Sequence, residues 1–170
     1  MQEMNDVGRF HVRLDRLGNM RAAHVHALSE RPEEDAWRII DSWAESRNVF
    51  KRSETRVFGR NTYPTDKPEP HGYEFYVTVD SEVTSEGEVD IFEIPGGLYA
   101  VLRFKGLENI QNAWQYLWNW IKEHGHEHVG WTKGEYGWHD GFEEHLNPLE
   151  DRNRVENWVF DLWVQLKESD

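Results

Sequence analysis

"DAWRIIDSWAES" at residues 35–46 and "NAWQYLWNWIKE" at residues 112–123 read as one amphipathic helix written twice. In the first copy Ala36, Trp37, Ile40, Trp43 and Ala44 recur at the helical period and share a face. In the second, Ala113, Trp114, Leu117 and Trp120 stand at the matching positions. The correspondence runs beyond the helices. Phe58 and Pro64 fall on Phe142 and Pro148, and Glu74, Tyr76 and Val77 fall on Asp161, Trp163 and Val164. A duplicated module is therefore expected, with repeat 1 at about residues 10–80 and repeat 2 at about 89–166 of a single domain. No Gly/Ser linker separates the halves, so a shared core about a pseudo-twofold axis is expected.

Working outward from the first helix, "FHVRLDRL" (10–17) alternates loosely and suits a strand. "GN" (18–19) is a turn signal, and "MRAAHVHAL" (20–28) is expected to pair back as a second strand. Ser29 and Pro32 mark a helix start, since proline is tolerated in the first turn. "ETRVFGRN" (54–61) and "YEFYVTVD" (73–80) read as strands around a proline-rich loop at 63–72. The pattern then restarts. "VDIFEI" and "LYAVLRF" are strands around "PGG", a helix runs from about Asn109 to His124, and Gly125 ends it. "GFEEHL" (141–146) and "WVFDLWVQL" (158–166) are the closing strands.

Composition limits the function. The chain has 19 Lys+Arg against 32 Asp+Glu, a net charge of −13, which repels a phosphate backbone. Direct nucleic-acid binding is not expected. There is no cysteine, hence no disulfide frame and no thiolate chemistry, and a cytoplasmic location is expected. The start lacks the apolar core of a signal peptide, and no stretch approaches 18 apolar residues, so no membrane span is expected. "HGHEH" (124–128) invites a zinc reading, but it crosses a helix end, where histidine simply favours the dipole. No metal and no cofactor are expected, and no Gly-rich phosphate loop or Ser/His/Asp set is present. Nine tryptophans, six tyrosines and eight phenylalanines exceed what a core of this size needs.

"VFGRNTYPTDKPEPHGYEFYVTVD" (57–80), "VDIFEIPGGLYAVLRFKGLENIQNAWQYLWNWIKEHG" (89–125) and "GFEEHLNP" (141–148) resemble the GyrI-like family of small-molecule-binding domains. These also serve as effector-binding domains of bacterial transcription regulators. The resemblance implies an α+β fold: duplicated β-α-β-β units, an antiparallel barrel-like sheet and two main helices. It also implies a central aromatic cleft with a carboxylate at its base, holding bulky aromatic or cationic ligands. The regulators carry a helix-turn-helix ahead of this domain. Here the resemblance begins about ten residues in, so a stand-alone member is expected. Some stand-alone members act as hydrolases on cyclopropane-containing genotoxins, which gives an alternative reading.

The family's pocket glutamate lies in a Glu-x-Tyr pattern, and Glu143 is its best match, with His145 in place of the tyrosine. In the hydrolase reading Glu143 is the general base. Glu144 competes for the pocket role, because neighbouring strand residues face opposite sides. Tyr76 and Trp163, equivalent on equivalent strands, suggest a clamp for a flat ligand. Trp114, Trp37, Tyr73, Tyr99, Trp118 and Glu74 are further ligand-binding candidates. For Trp43 and Trp120 the plainer expectation is core packing. Trp131 and Trp138 lie in a Gly-rich stretch expected to form a flap. The expected partner is a small molecule. The charge also permits a basic protein partner, though it suits plain solubility as well, and the oligomeric state stays open.

Overall fold

A computed structural model describes residues 10–62, 72–129, 141–150 and 152–168. In chain order its strands are β1 (Val12–Leu17), β2 (Met20–Leu28), β3 (Val57–Thr62), β4 (Gly72–Thr78), β5 (Asp90–Ile94), β6 (Gly97–Lys105), β7 (Phe142–His145) and β8 (Val159–Gln165). Two α-helices, α1 (Pro32–Ser46) and α2 (Ile110–Glu123), follow β2 and β6. The fold is α+β and its strand pairs are antiparallel. No helix among the described residues is long and apolar enough to cross a membrane.

The chain divides into two compact units. The middle unit takes in Asn19–Pro95, and in it the strands run in the order β3-β4-β2-β5 with α1 packed on β2 and β4. The flanking unit combines β1 with β6, α2, β7 and β8, in the order β1-β6-β8-β7.

Local chemistry explains the helices. Pro32 opens α1 with its φ already set, and Glu33, Glu34 and Asp35 in the first turn complement the helix dipole. Ala36, Ile40, Trp43 and Ala44 are buried against Val25, Phe75 and Val77 in the core of the middle unit. In the flanking unit Ala113, Leu117 and Ile121 of α2 pack on Ala100, Leu102, Phe160 and Leu162.

One expectation fails. β1 and β2 do not form a hairpin. β1 pairs with β6, from Val12↔Leu102 to Leu17↔Gly97, while β2 pairs with β5, from Met20↔Ile94 to His24↔Asp90. The favoured two-residue hairpin turns need a positive φ at the first central residue, and neither Gly18 nor Asn19 has one. The chain therefore runs on without reversing, and β1 and β2 enter different units.

Candidate functional site

Residues directly opposite in an antiparallel ladder share a face, and neighbours along a strand alternate. This assigns every candidate to a side of its sheet. In the flanking unit Phe160, Leu162 and Val164 of β8 meet α2. Glu143 lies opposite Leu162 and so belongs to the helix side, whereas Glu144 lies opposite Asp161 and belongs to the other. Both glutamates are 5% exposed, so burial does not separate them and the facing does.

On the helix side, Trp114 of α2 donates from Nε1 to Glu143 Oε2 at 3.1 Å. The indole reaches past Gly141, whose φ of 85° and whose missing Cβ leave room beside the Trp163 carbonyl and the indole edge. Half-buried His145, two residues on, meets Phe160 edge-on, the ring centroids being 4.9 Å apart. Desolvation, with the charge of Arg152 second, pushes its pKa down to about 3.

On the face turned away from α2, three rings meet. Tyr99 lies 5.8 Å from Phe142 and 5.6 Å from Trp163, both edge-on, and Phe142 and Trp163 are parallel at 6.3 Å. Trp163 donates from Nε1 to Glu144 Oε1 at 3.1 Å. Beside them Asp161 accepts from Arg103 (2.8 and 3.1 Å) and from Arg13 (3.1 Å). The indole N–H orients the Glu144 carboxylate, and two guanidiniums hold Asp161. Arg103 also feels the charge of Glu144.

The middle unit carries a different cluster on its own helix-free face. Glu74 lies opposite His26 on one side and Arg60 on the other. It accepts from Tyr76 (2.9 Å) and contacts His24 Nε2 (2.8 Å), and Arg60 Nε stands 2.9 Å away with its N–H not aimed at the oxygen. The other nitrogen of His24 meets Asp90 at 2.7 Å. Burial alone would lower the pKa of His24, but Glu74 and then Asp90 outweigh it and raise that pKa. Burial likewise favours neutral Glu74, yet His24, Arg60 and Tyr76 hold its pKa below the ordinary value. Desolvation and the Glu74 charge raise the Tyr76 phenol well above its usual range. Tyr76 also packs 5.0 Å from Phe92 and 4.8 Å from His24.

The candidates thus separate by face. Tyr76 and Glu74 in the middle unit, and Tyr99 and Trp163 in the flanking unit, lie on helix-free faces. Trp37 and Tyr73 lie on the helix side of the middle unit, packed with Phe75 at 5.2 and 4.9 Å. Glu143 and Trp114 lie on the helix side of the flanking unit. Trp118 stands half-buried on α2, edge-on to His128 at 5.0 Å, in an open groove of about 660 Å³. His124 and His126 stack on Trp120, and no group of metal-binding side chains occurs among the described residues. Trp131 and Trp138 lie outside the described residues.

Sequence reasoning missed His24, Arg60 and Asp90 around Glu74, and Arg13 and Arg103 around Asp161. The signal available was alternation: "HVH" (24–26) places both histidines on one face of a strand, as "EFY" (74–76) does for Glu74 and Tyr76.

A model of the GyrI-like small molecule binding domain matches residues 24–167. The backbone is similar to EcmrR, solved in complex with DNA, with a TM-score of 0.71 at 14% identity over 99% of this chain; the chain spans 61% of EcmrR. It is also similar to SAV2435 bound to tetraphenylphosphonium (TM-score 0.58, 11% identity, 92% of this chain and 94% of that one). A hydrolase from Listeria innocua gives a TM-score of 0.66 at 10% identity over 98% of both chains. At such identities the likeness is one of fold. No curated protein matches the chain by sequence.

Proposed function

The chain belongs to the GyrI-like family of small-molecule-binding domains, and from that premise we propose that it binds bulky aromatic cations at the ring cluster of the flanking unit, with Glu144 as the receiving carboxylate. One observation supports this above others: a buried glutamate, oriented by an indole N–H, stands among Tyr99, Phe142 and Trp163 on the helix-free face. Each ring face offers a cation about 0.5–2 kcal/mol, more where water is excluded. The carboxylate adds an acceptor in a low-dielectric setting, where attraction to a cation is stronger than in water. Because these side chains are nearly fully buried, ligand entry requires the rings to part, and part of the binding energy is spent on that rearrangement.

The assignment to Glu144 revises the expectation from the family pattern, which favours Glu143. Glu143 faces α2 and takes the Trp114 indole, a bond that ties helix to strand. The hydrolase reading needs Glu143 to meet water and a strained substrate, and no observation at that position favours it over binding.

The test is calorimetric titration with tetraphenylphosphonium. Glu144→Gln is expected to weaken binding at least tenfold, about 1.4 kcal/mol, and Glu143→Gln to change it less than about threefold. The reverse ranking would sink the Glu144 assignment and restore Glu143. Ring-opened product from a cyclopropane-bearing alkylator, lost in Glu143→Gln, would establish the hydrolase reading instead.

A further inference from the structure

A cavity of about 290 Å³ opens in the middle unit, where the start of β2, the segment before β3 and the end of β4 meet. Met20, Arg21, Arg52, Glu54, Arg56 and Thr78 are among its lining residues. Three guanidiniums on one small cavity are notable in a chain of net charge −13.

The three differ in how they are held. Arg52 is matched by acids, with Nη2 at 2.6 Å from Glu54 and 2.7 Å from Asp80. Arg56 lies over the Phe58 ring at 5.1 Å and approaches Met20 Sδ at 3.8 Å. Arg21 donates from Nη2 to the Val83 carbonyl at 2.6 Å, which fixes its plane. Its Nε is buried and without a hydrogen-bond partner, and among the described residues no carboxylate pairs with it. Buried N–H groups in native proteins are nearly always satisfied, so the Arg21 Nε–H beside this cavity is a donor that an acceptor entering the cavity can take. Arginine's planar fork suits an oxyanion, and a second guanidinium supplies the remaining charge.

We propose that this cavity is a binding site for a small molecule bearing an oxyanion, a phosphate monoester or a carboxylate, with Arg21 as the primary donor and Arg56 beside it. The volume limits the occupant to a compact metabolite-sized anion. The site is independent of the aromatic cation site, and each can fail without the other.

The experiment follows the arginine Nε–Hε signals of the full ¹⁵N-labelled chain by NMR during titration with sodium phosphate and, separately, with sodium citrate. Sodium chloride at matched ionic strength is the control. A saturable shift of the Arg21 signal with phosphate, citrate or both is expected, and the more effective anion identifies the group recognised. By calorimetry Arg21→Gln should weaken that anion at least tenfold, whereas Arg38→Gln, on an exposed helix face, should leave it unchanged. Arg21→Lys keeps the charge and removes the Nε donor. It should also weaken binding, and it serves if Arg21→Gln fails to fold. Shifts that merely follow ionic strength, no saturation with either anion, or equal losses in Arg38→Gln and the Arg21 variants would overturn the proposal.

Discussion

His24 stands between Glu74 and Asp90, and that position makes its charge depend on its neighbours. Its folded pKa is raised above 6.5, so its contribution is complete below that value and is lost as pH rises through the folded pKa. The folded pKa of Glu74 is lowered below 4.5, so its contribution is complete above that value and is lost as pH falls through the folded pKa. The two overlap fully between 4.5 and 6.5. His24→Gln should therefore lower the melting temperature most in that window and progressively less in alkaline buffer. A deficit that stays constant from about pH 5 to about pH 9 would mean that His24 titrates alike in the folded and unfolded states, so that folding does not raise its pKa. The sequence disclosed the alternation of these residues but not their partners. Glu143 and Glu144 teach the same lesson. A period of two says that they face opposite ways. Which of them lies under the helix depends on the register against Leu162 and Asp161, 19 and 17 residues further on.

The two helices were the most legible elements, because an apolar stripe and a proline start are local properties of the chain. Their matched tryptophans nevertheless have different surroundings. Trp43 is 8% exposed in the core of the middle unit, with Arg47 over its ring at 4.8 Å. Trp120 is half-buried at the rim of α2 and stacks on His124 at 4.1 Å, and Ile121 takes the buried place beside it. The expectation of core packing thus holds for Trp43, while Trp120 only adjoins its core. Trp43→Ala should cost about 3–5 kcal/mol in denaturant unfolding, the usual range for emptying an aromatic core site. Trp120→Ala should cost about 1 kcal/mol, since most of what it loses is ring stacking at a partly wet surface. Equal losses would contradict the difference in burial. Trp114→Phe tests the link between helix and sheet. It keeps the ring and removes the donor to Glu143, and leaving a buried carboxylate short of that bond should cost about 1–3 kcal/mol.

At the scale of the whole chain, the repeat seen in the sequence and the compact unit seen in the structure are different objects. The repeat is continuous, about residues 10–80, and contains β1 but not β5. The compact unit Asn19–Pro95 contains β5 but not β1. Side-chain patterns mark which segments are strands, yet partner choice is a long-range property, decided here by a Gly-Asn step that does not turn back. The distinction predicts how pieces of the chain behave. A fragment of residues 19–95 keeps β2 paired on both edges, to β4 and to β5. A fragment of residues 10–80 keeps only the β4 side, leaving the apolar strand β2 as an open edge beside an unpartnered β1. Exposed edges of this kind template association. The 19–95 fragment should therefore show dispersed amide signals and protected β2 amides in hydrogen exchange, and the 10–80 fragment should aggregate or exchange freely. If the 10–80 fragment protected β2 as well as its counterpart, β5 would contribute nothing to that sheet, and the division of the chain between Gly18 and Asn19 would have no energetic meaning.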